Sequence, residues 1–286
     1  MRYEAPETVE KATALLAEGG AEARVLAGGT DLLVQMRADV VDPDLIVDIK
    51  RIKETRTITE EGGGWRIGAA VTGAELKEHP RLKHVWPGVI EAANLIGSTQ
   101  VQGRATLGGN LGNGSPAADS VPALIAAGAV ATLAGPGGRR DLPVEDVMLG
   151  PRKLALRKGE FIVSFLLPPR PPRSSDAYLR FIPRTEMDIA VVGAGVSITV
   201  DAGGTITAAR VALGAVAPRV LLVPEAAAAI VGSRLDRPAQ DRLEEAARAA
   251  CAPIDDKRGT VEFRVEVAGV LARRAALIAL DRARTA

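Results

Sequence analysis

A concentration of glycine in residues 104–124 constrains the fold of this chain more than any other feature. The segment reads RATLGGNLGNGSPAADSVPAL, and five glycines fall within a dozen residues: Gly103, Gly108, Gly109, Gly112 and Gly114. Glycine is costly to order, so this density indicates that something must approach the backbone closely. A simple turn needs only one or two glycines. The pattern therefore predicts a loop that holds a phosphate or a dinucleotide.

A second, shorter glycine motif, LAGGTDLL, occupies residues 26–33. The apolar run Ala23–Leu26 predicts a strand that leads directly into it, and a helix is predicted over Asp31–Met36 with Thr30 or Asp31 as its N-cap. A diphosphate needs backbone N–H donors at close range, which glycines at the start of a helix can supply. The two motifs together therefore predict the two halves of one dinucleotide site.

Three polar side chains near the longer motif suit the same ligand. Thr106 and Asn110 add hydrogen-bond donors, whereas the carboxylate of Asp119 is suited to a ribose hydroxyl because it would repel a phosphate. The alternative interpretation is that both motifs are tight turns between packed elements, and the residues alone leave it open.

Composition excludes several classes of protein. The 36 basic and 35 acidic residues leave a net charge of +1, and aromatic residues make up only 3%, so neither nucleic acid nor a membrane surface is indicated as a partner. The single Cys251 excludes an internal disulfide, an all-cysteine iron–sulfur site and a cysteine-rich zinc site, and it is read as a small core residue. The N-terminus has no apolar secretory segment and no run is long enough for a membrane span, so a soluble, cytoplasmic protein is expected.

Signatures of side-chain catalysis are missing from the sequence. It contains no G-x-x-x-x-G-K-[ST], H-E-x-x-H or G-x-S-x-G motif and no strictly spaced G-x-G-x-x-G. His79 and His84 lie in a segment rich in lysine and arginine and are interpreted as surface residues rather than metal ligands. Any chemistry is therefore expected to come from a cofactor.

The order of predicted elements indicates an α+β protein with two domains. In the first, a helix is predicted to begin at Pro6, glycine hairpins are predicted at 61–64 and 135–138, a helical stretch from Gly73 to Ile96 is predicted to be interrupted near Pro80 and Pro87, and a strong strand (FIVSFLL) is predicted over Glu160–Leu167. The first covers residues 1–172, as subdomains 1–54 and 55–172, and the second covers 173–286. The segment PPRPPRSS (168–175) is predicted to link them, because its prolines cannot donate to a sheet. The second domain is smaller, with a three-stranded antiparallel sheet and three helices; its strands are predicted at Tyr178–Pro183, Ala190–Val200 and Ile206–Leu213, and its helices at Pro224–Val231, Pro238–Cys251 and Val261–Arg282.

Both glycine motifs resemble those of a known family. LAGGTDLL and TLGGNLGNGSPAADSVPAL (106–124), together with RTEMDIAVVGAGVSI (184–198) and ALGAVAPRV (212–220), are similar to the FAD-binding, or medium, subunits of the xanthine dehydrogenase and carbon monoxide dehydrogenase group of molybdenum hydroxylases. The resemblance covers essentially the whole chain. It implies the two-part FAD-binding fold of the vanillyl-alcohol oxidase (PCMH) type, followed by the family's C-terminal domain.

The resemblance also implies a set of cofactor-binding residues. The first motif would wrap the FAD pyrophosphate with its backbone, the second would form the other pyrophosphate loop, and residues 96 and 97 would line the adenine or ribityl portion. Asp119 would make a polar contact with FAD and Ile189 would lie near the isoalloxazine, whereas Arg184 and Asp188 are expected to be ion-paired structural residues. The implied binding residues are Ala27, Gly28, Gly29, Thr30, Asp31, Leu32, Ile96, Gly97, Thr106, Gly108, Gly109, Asn110, Asp119 and Ile189.

As a member of such a family, the chain would be an oxidoreductase subunit that carries electrons and has no catalytic side chains. Its FAD would be non-covalent, since relatives with covalent flavin often carry histidine where Thr30 stands. A large subunit would hold the molybdenum cofactor and a small subunit the [2Fe-2S] clusters, from which FAD would pass electrons to an external acceptor such as NAD⁺, a quinone or oxygen. Two alternatives stay open: a non-catalytic assembly subunit and a self-contained flavin oxidase.

Overall fold

A three-stranded parallel sheet begins the chain. The computed structural model describes residues 1–20 and 22–286, and its first sheet has the order β1-β3-β2, with both neighbours parallel to β3. The elements of this part are β1 (Arg2–Glu4), α1 (Val9–Glu18), β2 (Arg24–Leu26), α2 (Leu32–Arg37), β3 (Leu45–Asp48) and two 3-10 turns, Ile49–Arg51 and Lys53–Arg56. Helix α1 begins at Val9, after the Thr8 side chain accepts the N–H of Lys11, and the prediction of Pro6 as its first residue is wrong.

A five-stranded antiparallel sheet follows, with the order β4-β5-β10-β6-β7. Its central strand, β10, has the apolar sequence FIVSFLL, and Phe161 and Phe165 are fully buried there. The strands are β4 (Ile58–Glu61), β5 (Gly64–Gly68), β6 (Val130–Gly135), β7 (Gly138–Pro143) and β10 (Phe161–Leu167), and a separate pair is formed by β8 (Met148–Gly150) and β9 (Lys153–Leu154). Both predicted glycine hairpins, at 61–64 and 135–138, are present.

Short helices connect β5 to β6. Helix α3 starts with a capping box in which Thr72 and Glu75 exchange hydrogen bonds, and Pro87 is the first residue of α5, as the predicted interruptions near Pro80 and Pro87 require. The helices of this part are α3 (Gly73–Glu78), α4 (Leu82–Val85), α5 (Pro87–Asn94), α6 (Thr99–Gln102), α7 (Leu107–Gly112), α8 (Ser120–Ala126) and, after β7, α9 (Val144–Val147).

The C-terminal part is an antiparallel sheet covered by helices. It has four strands in sequential order rather than the predicted three, since β14 adds a two-residue edge whose Leu222 pairs with Ala212. The elements are β11 (Ser174–Phe181), β12 (Val192–Val200), β13 (Ile206–Gly214), β14 (Leu221–Leu222), α10 (Pro224–Ala228), α11 (Arg237–Ala249) and α12 (Val261–Thr285). None of the helices in the described part of the chain is both long and apolar enough to cross a membrane.

The proline-rich segment between β10 and β11 is packed against both parts of the molecule. The Arg170 guanidinium lies 3.8 Å from the centre of the Trp86 ring and forms a 2.7 Å ion pair with Asp176. Asp176 is only 2% exposed and also accepts the backbone N–H of Val89 in α5 at 3.1 Å. Burial raises the pKa of Asp176 to about 6, although the charge of Arg170 lowers it. The Arg170–Asp176 pair is therefore a buried junction, although Pro169 and residues 171–173 of the segment are exposed, and the domain boundary at 172 remains a prediction.

Removal of the Asp176 charge should show how much this junction contributes to the stability of the fold. We expect Asp176→Asn to lower the free energy of unfolding by about 3–5 kcal/mol, because it leaves the buried Arg170 without its counter-ion. The measurement is equilibrium urea denaturation. The matched control is Asp241→Asn in the exposed Arg237–Asp241 pair, which should cost less than about 1 kcal/mol. Equal losses in the two variants would contradict the prediction.

Candidate functional site

A cavity of about 1050 Å³ opens between the first sheet and the second. It reaches the upper end of the range of about 300–1,000 Å³ that is usual for ligand pockets. Its walls come from the β2–α2 turn, from α7 and from the connection that leads into β10. Eleven of the fourteen predicted binding residues line it: Ala27, Gly28, Gly29, Thr30, Asp31, Leu32, Ile96, Thr106, Gly108, Gly109 and Asn110.

The first glycine motif presents a row of backbone donors to this cavity. The N–H groups of residues 28–32 have no hydrogen-bond acceptor among the described residues, and α2 begins only with the bond from the Leu33 N–H to the Gly29 carbonyl at 3.1 Å. The first N–H groups of a helix have no partner within the helix and are satisfied by water or by a ligand, so this row of five half-buried donors is available to a ligand that enters the cavity. Such a row suits an anion with several oxygens.

The glycines of the motif are also required by the chain's own packing. A Cβ atom on Gly28 would lie 1.9 Å from the carbonyl oxygen of Arg104, and Gly29 has a φ of +84°, in the left-handed region. In the second motif, a Cβ on Gly108 would lie 2.5 Å from the carbonyl oxygen of Ala69. Close packing within the chain therefore accounts for glycine at these positions. The contact between Gly28 and Arg104 also brings the first motif against the segment that leads into the second.

Residues 107–112 of the second glycine motif form a short helix, α7, whereas residues 113–119 are turns and irregular chain. The Thr106 hydroxyl accepts the N–H of Gly109 at 2.9 Å, and the Thr106 carbonyl accepts the N–H of Asn110 at 3.0 Å. The N–H of Gly108 donates to the Ala69 carbonyl at 3.1 Å. The prediction of an open glycine loop is wrong here, because a threonine N-cap closes the first turn of α7 despite the low helix propensity of glycine.

Asn110 is held in one orientation within the cavity wall. Its Oδ1 accepts both the backbone N–H of Ser120 at 3.0 Å and the Ser120 hydroxyl at 2.7 Å. Since the oxygen is engaged, the NH₂ group is the part of the side chain that remains to donate to a ligand. The predicted role of Asn110 as a side-chain donor is compatible with this geometry.

Several lining residues were not among those predicted from the sequence. Gln35 in α2 donates to Asn113 at 2.8 Å and joins the two motifs through their side chains. The connection into β10 contributes three basic residues to the wall: Arg152, Arg157 and Lys158. No sequence signal singled these residues out, because charged residues in a connection between strands are ordinary surface residues.

Three predicted residues lie outside the cavity. Gly97, at φ +66°, is enclosed by Val101 and lies near the Met187 sulfur, whereas Ile189 is 52% exposed on the loop between β11 and β12. Asp119 is buried at the N-cap of α8.

Asp119 takes part in a buried ion pair. Its carboxylate accepts from Arg180 at 2.9 Å and from the Tyr178 hydroxyl at 3.3 Å, and Arg180 also donates to the Leu95 carbonyl at 2.7 Å. Burial raises the pKa of Asp119 to about 6 against the lowering effect of Arg180. Burial and the neighbouring carboxylate likewise raise the pKa of Tyr178. Within the cavity itself, burial raises the pKa of Asp31.

Other sequence interpretations are resolved by neighbouring contacts. Asp188 forms the expected ion pair with Arg184 at 3.1 Å and a second one with Arg258 at 3.2 Å. His84 is exposed, but His79 is half-buried against the edge of Trp65. Among residues 1–20 and 22–286, no group of three histidine, cysteine, aspartate or glutamate side chains could hold a metal ion. Cys251 is half-buried, with its sulfur 3.2 Å from the Ala247 carbonyl.

Family models match nearly the whole chain. Residues 1–170 match the FAD binding domain in molybdopterin dehydrogenase, and residues 177–279 match the CO dehydrogenase flavoprotein C-terminal domain. The chain belongs to the FAD-binding subunits of the molybdopterin dehydrogenases. It is therefore an oxidoreductase subunit, and its α+β architecture is the one predicted for this family.

Individual relatives also match over nearly the whole chain. The carbon monoxide dehydrogenase medium chain of Hydrogenophaga pseudoflava is 34% identical, with 96% of this chain and 94% of that one covered. The putative xanthine dehydrogenase FAD-binding subunit of Escherichia coli strain K12 is 31% identical over 95% of this chain and 93% of its own. The crystal structure of a Cu,Mo-CO dehydrogenase matches with a TM-score of 0.95 at 34% identity, covering 99% of this chain and 98% of that one.

Two glycine-to-alanine variants should show which glycines of the motifs are required by packing and which are not. We expect Gly28→Ala to lower the free energy of unfolding by about 2 kcal/mol or more, because its Cβ would collide with the Arg104 backbone. The control is Gly112→Ala in α7, where a Cβ meets no atom within 4 Å; alanine's higher helix propensity should make it neutral or up to about 1 kcal/mol stabilising. Urea denaturation measures both, and a neutral Gly28→Ala would contradict the prediction.

The raised pKa of Asp119 predicts a pH dependence of stability. Because its folded-state pKa of about 6 lies above the ordinary 3.8, the folded state binds the proton more tightly. The resulting stability is complete below about pH 4 and is lost as the pH rises through about 6, a decrease of about 2–3 kcal/mol. Asp176, whose pKa is also about 6, contributes a similar decrease to both proteins, so urea denaturation from pH 4 to 7 should show a loss of stability that is larger by this amount in the wild type than in Asp119→Asn. Parallel profiles for the two proteins would contradict it.

Proposed function

We propose that this chain binds FAD non-covalently in the cavity between its two glycine motifs. The observation that carries the proposal is the row of five free N–H groups at residues 28–32, which faces a cavity of the size a dinucleotide needs. Membership of a family of FAD-binding subunits makes FAD the ligand that these donors fit. The pyrophosphate is the part of FAD that carries several anionic oxygens.

Each group of lining residues has a distinct proposed role. Residues 27–32 would hold the pyrophosphate through the backbone, and Thr106, Gly108, Gly109 and Asn110 would form the opposite wall, with the Asn110 NH₂ as a donor. The basic residues of the β10 connection would offset the ligand's negative charge. Ile96 would cover an apolar portion of the cofactor. Contacts of FAD with Gly97, Asp119 and Ile189 remain predictions from the family resemblance.

The cofactor would supply the redox chemistry and the chain would supply the binding. When bound, FAD can take up electrons and release them again, which no side chain at this site can do. The residues described here bind it, orient it and exclude water from it. Thr30 offers no nitrogen for a flavin linkage, which supports a non-covalent cofactor.

The chain would work as one subunit of a molybdenum hydroxylase complex. A large subunit would carry the molybdenum cofactor and oxidise the substrate, and a small subunit would carry the [2Fe-2S] clusters. With one cysteine, this chain cannot hold a cluster of that kind itself. Electrons would pass from the clusters to the FAD held here and then to an external acceptor. A composition with one cysteine, and so without an internal disulfide framework, suits a reducing cytosol and supports a cytoplasmic location.

Flavin content tests this proposal directly. We expect the purified chain to show visible flavin absorption, or to acquire it on addition of FAD, and to release all of its flavin on acid denaturation. Asn110→Asp should weaken FAD binding at least about tenfold, because it retains an acceptor for Ser120 but replaces the NH₂ donor with a negative oxygen. Asp241→Asn, at an exposed position of α11 that does not line the cavity, is the control and should bind FAD normally. A colourless protein that takes up no FAD would overturn the proposal.

A further inference from the structure

Lys50 lies directly behind the first glycine motif without lining the cavity. Its Nζ donates to the Ala27 carbonyl at 2.9 Å and to the Asp48 Oδ1 at 2.7 Å. The other oxygen of Asp48 accepts the Tyr3 hydroxyl at 2.6 Å. Ala27 is the last residue before the five free N–H groups, so this three-residue network holds the motif at the point where it leaves the sheet.

The local fold explains how Lys50 reaches that carbonyl. Strand β3 ends at Asp48, which pairs in register with Leu26 at the end of β2. Asp48 then caps the 3-10 turn Ile49–Arg51 by accepting the backbone N–H of Lys50 at 3.0 Å. This turn brings Lys50 back beside the neighbouring strand, and its side chain remains only 26% exposed.

The hydrogen bond to Ala27 sets the direction of the next N–H group. In a planar trans peptide the carbonyl and the N–H point in opposite directions. A carbonyl of Ala27 that points to Lys50 therefore turns the N–H of Gly28 away from Lys50, toward the side of the motif that faces the cavity. Glycine residues restrain their own peptide planes weakly, so an external hydrogen bond is needed to fix this orientation.

We propose that Lys50 is a positioning residue that pre-organises the first glycine motif for the diphosphate of its dinucleotide ligand. This inference rests on the proposed FAD site and deepens it. A motif already ordered in its binding conformation loses less entropy when the ligand binds, and this raises affinity without any direct contact. Hydrogen bonds from a charged donor are stronger than neutral ones, which suits the ammonium group for this role.

The charge of Lys50 is balanced within the network. Although burial would raise the pKa of Asp48, its hydrogen bonds from Lys50 and Tyr3 hold that pKa below the ordinary value, so the carboxylate stays ionised. The Lys50–Asp48 pair is thus close to neutral overall. Its effect on a ligand should be geometric rather than a long-range attraction, and it should persist when salt screens charges.

Binding measurements on the full chain test this role. We expect Lys50→Met, which retains the apolar stem and removes the donor, to weaken binding of FAD and of ADP about tenfold each. Binding of riboflavin, which lacks the diphosphate, should change less than twofold. Lys50→Arg, which retains a charged donor, should recover most of the affinity. Lys53→Met, the same substitution at an exposed lysine three residues later, is the matched control and should behave as the wild type.

Distinct results would overturn the inference or the function beneath it. If Lys50→Met binds FAD and ADP with affinities within twofold of the wild type, Lys50 has no positioning role. Equal losses of affinity for riboflavin and for ADP would mean general damage to the fold. A loss of affinity that disappears in 0.5 M salt, about five times a usual buffer strength, would mean direct charge attraction. Either result would overturn the positioning role. If the wild type binds neither FAD nor ADP, the proposed function itself fails.

A second variant covers the case in which Lys50→Met does not fold. Tyr3→Phe removes the outer hydrogen bond to Asp48 at a residue that is more than half exposed, so the fold should tolerate it. We expect it to weaken ADP binding two- to threefold, as a partial loosening of the same network, with an unchanged melting temperature. Unchanged ADP affinity in Tyr3→Phe, beside an unfolded Lys50→Met, would also count against the proposal.

Discussion

The close approach of the Gly28 backbone to the carbonyl of Arg104 is the contact on which the site depends. It brings the turn after β2 against the segment that precedes α7, although these stretches are far apart in the chain. Only a residue without a Cβ permits the approach, because a methyl group there would lie 1.9 Å from the carbonyl oxygen. The cavity exists because the two motifs meet in this way, and the free N–H groups of residues 28–32 face it as a result.

The C-terminal part is joined to this site by buried ion pairs rather than by a flexible linker. Asp176 binds Arg170, and Asp119 binds Arg180, at distances below 3 Å and with little exposure to water. Such pairs are expensive to break because each leaves a buried charge behind. The Asp119 pair also contacts Leu95, next to Ile96 in the cavity wall, so the packing of the C-terminal sheet and the shape of the cavity are physically connected.

Local patterns predicted most elements but failed where tertiary contacts competed. The run FIVSFLL and the alternation on either side of residues 61–64 predicted strands that the structure contains, since buried strands and glycine hairpins have strong local signals. Strand β14 was missed because two residues cannot show a period. Helix α7 was missed because its glycines disfavour a helix, and the Thr106 cap, together with burial of Leu107 and Leu111, outweighs that preference.

The sequence by itself determined the family, the two glycine motifs and eleven of the residues that line the cavity, because these depend on residue types that few other folds require in that order. Only the tertiary structure decided which motif keeps free donors. In the second motif Thr106 and Ala69 accept N–H groups, whereas in the first no acceptor for the N–H groups of residues 28–32 is found within residues 1–20 and 22–286. The structure also decided that Asp119 is held by Arg180 and that Lys50 stands behind Ala27. The physical reason is that a hydrogen bond between residues far apart in sequence leaves no periodic trace: it depends on where the strands end, and packing sets that.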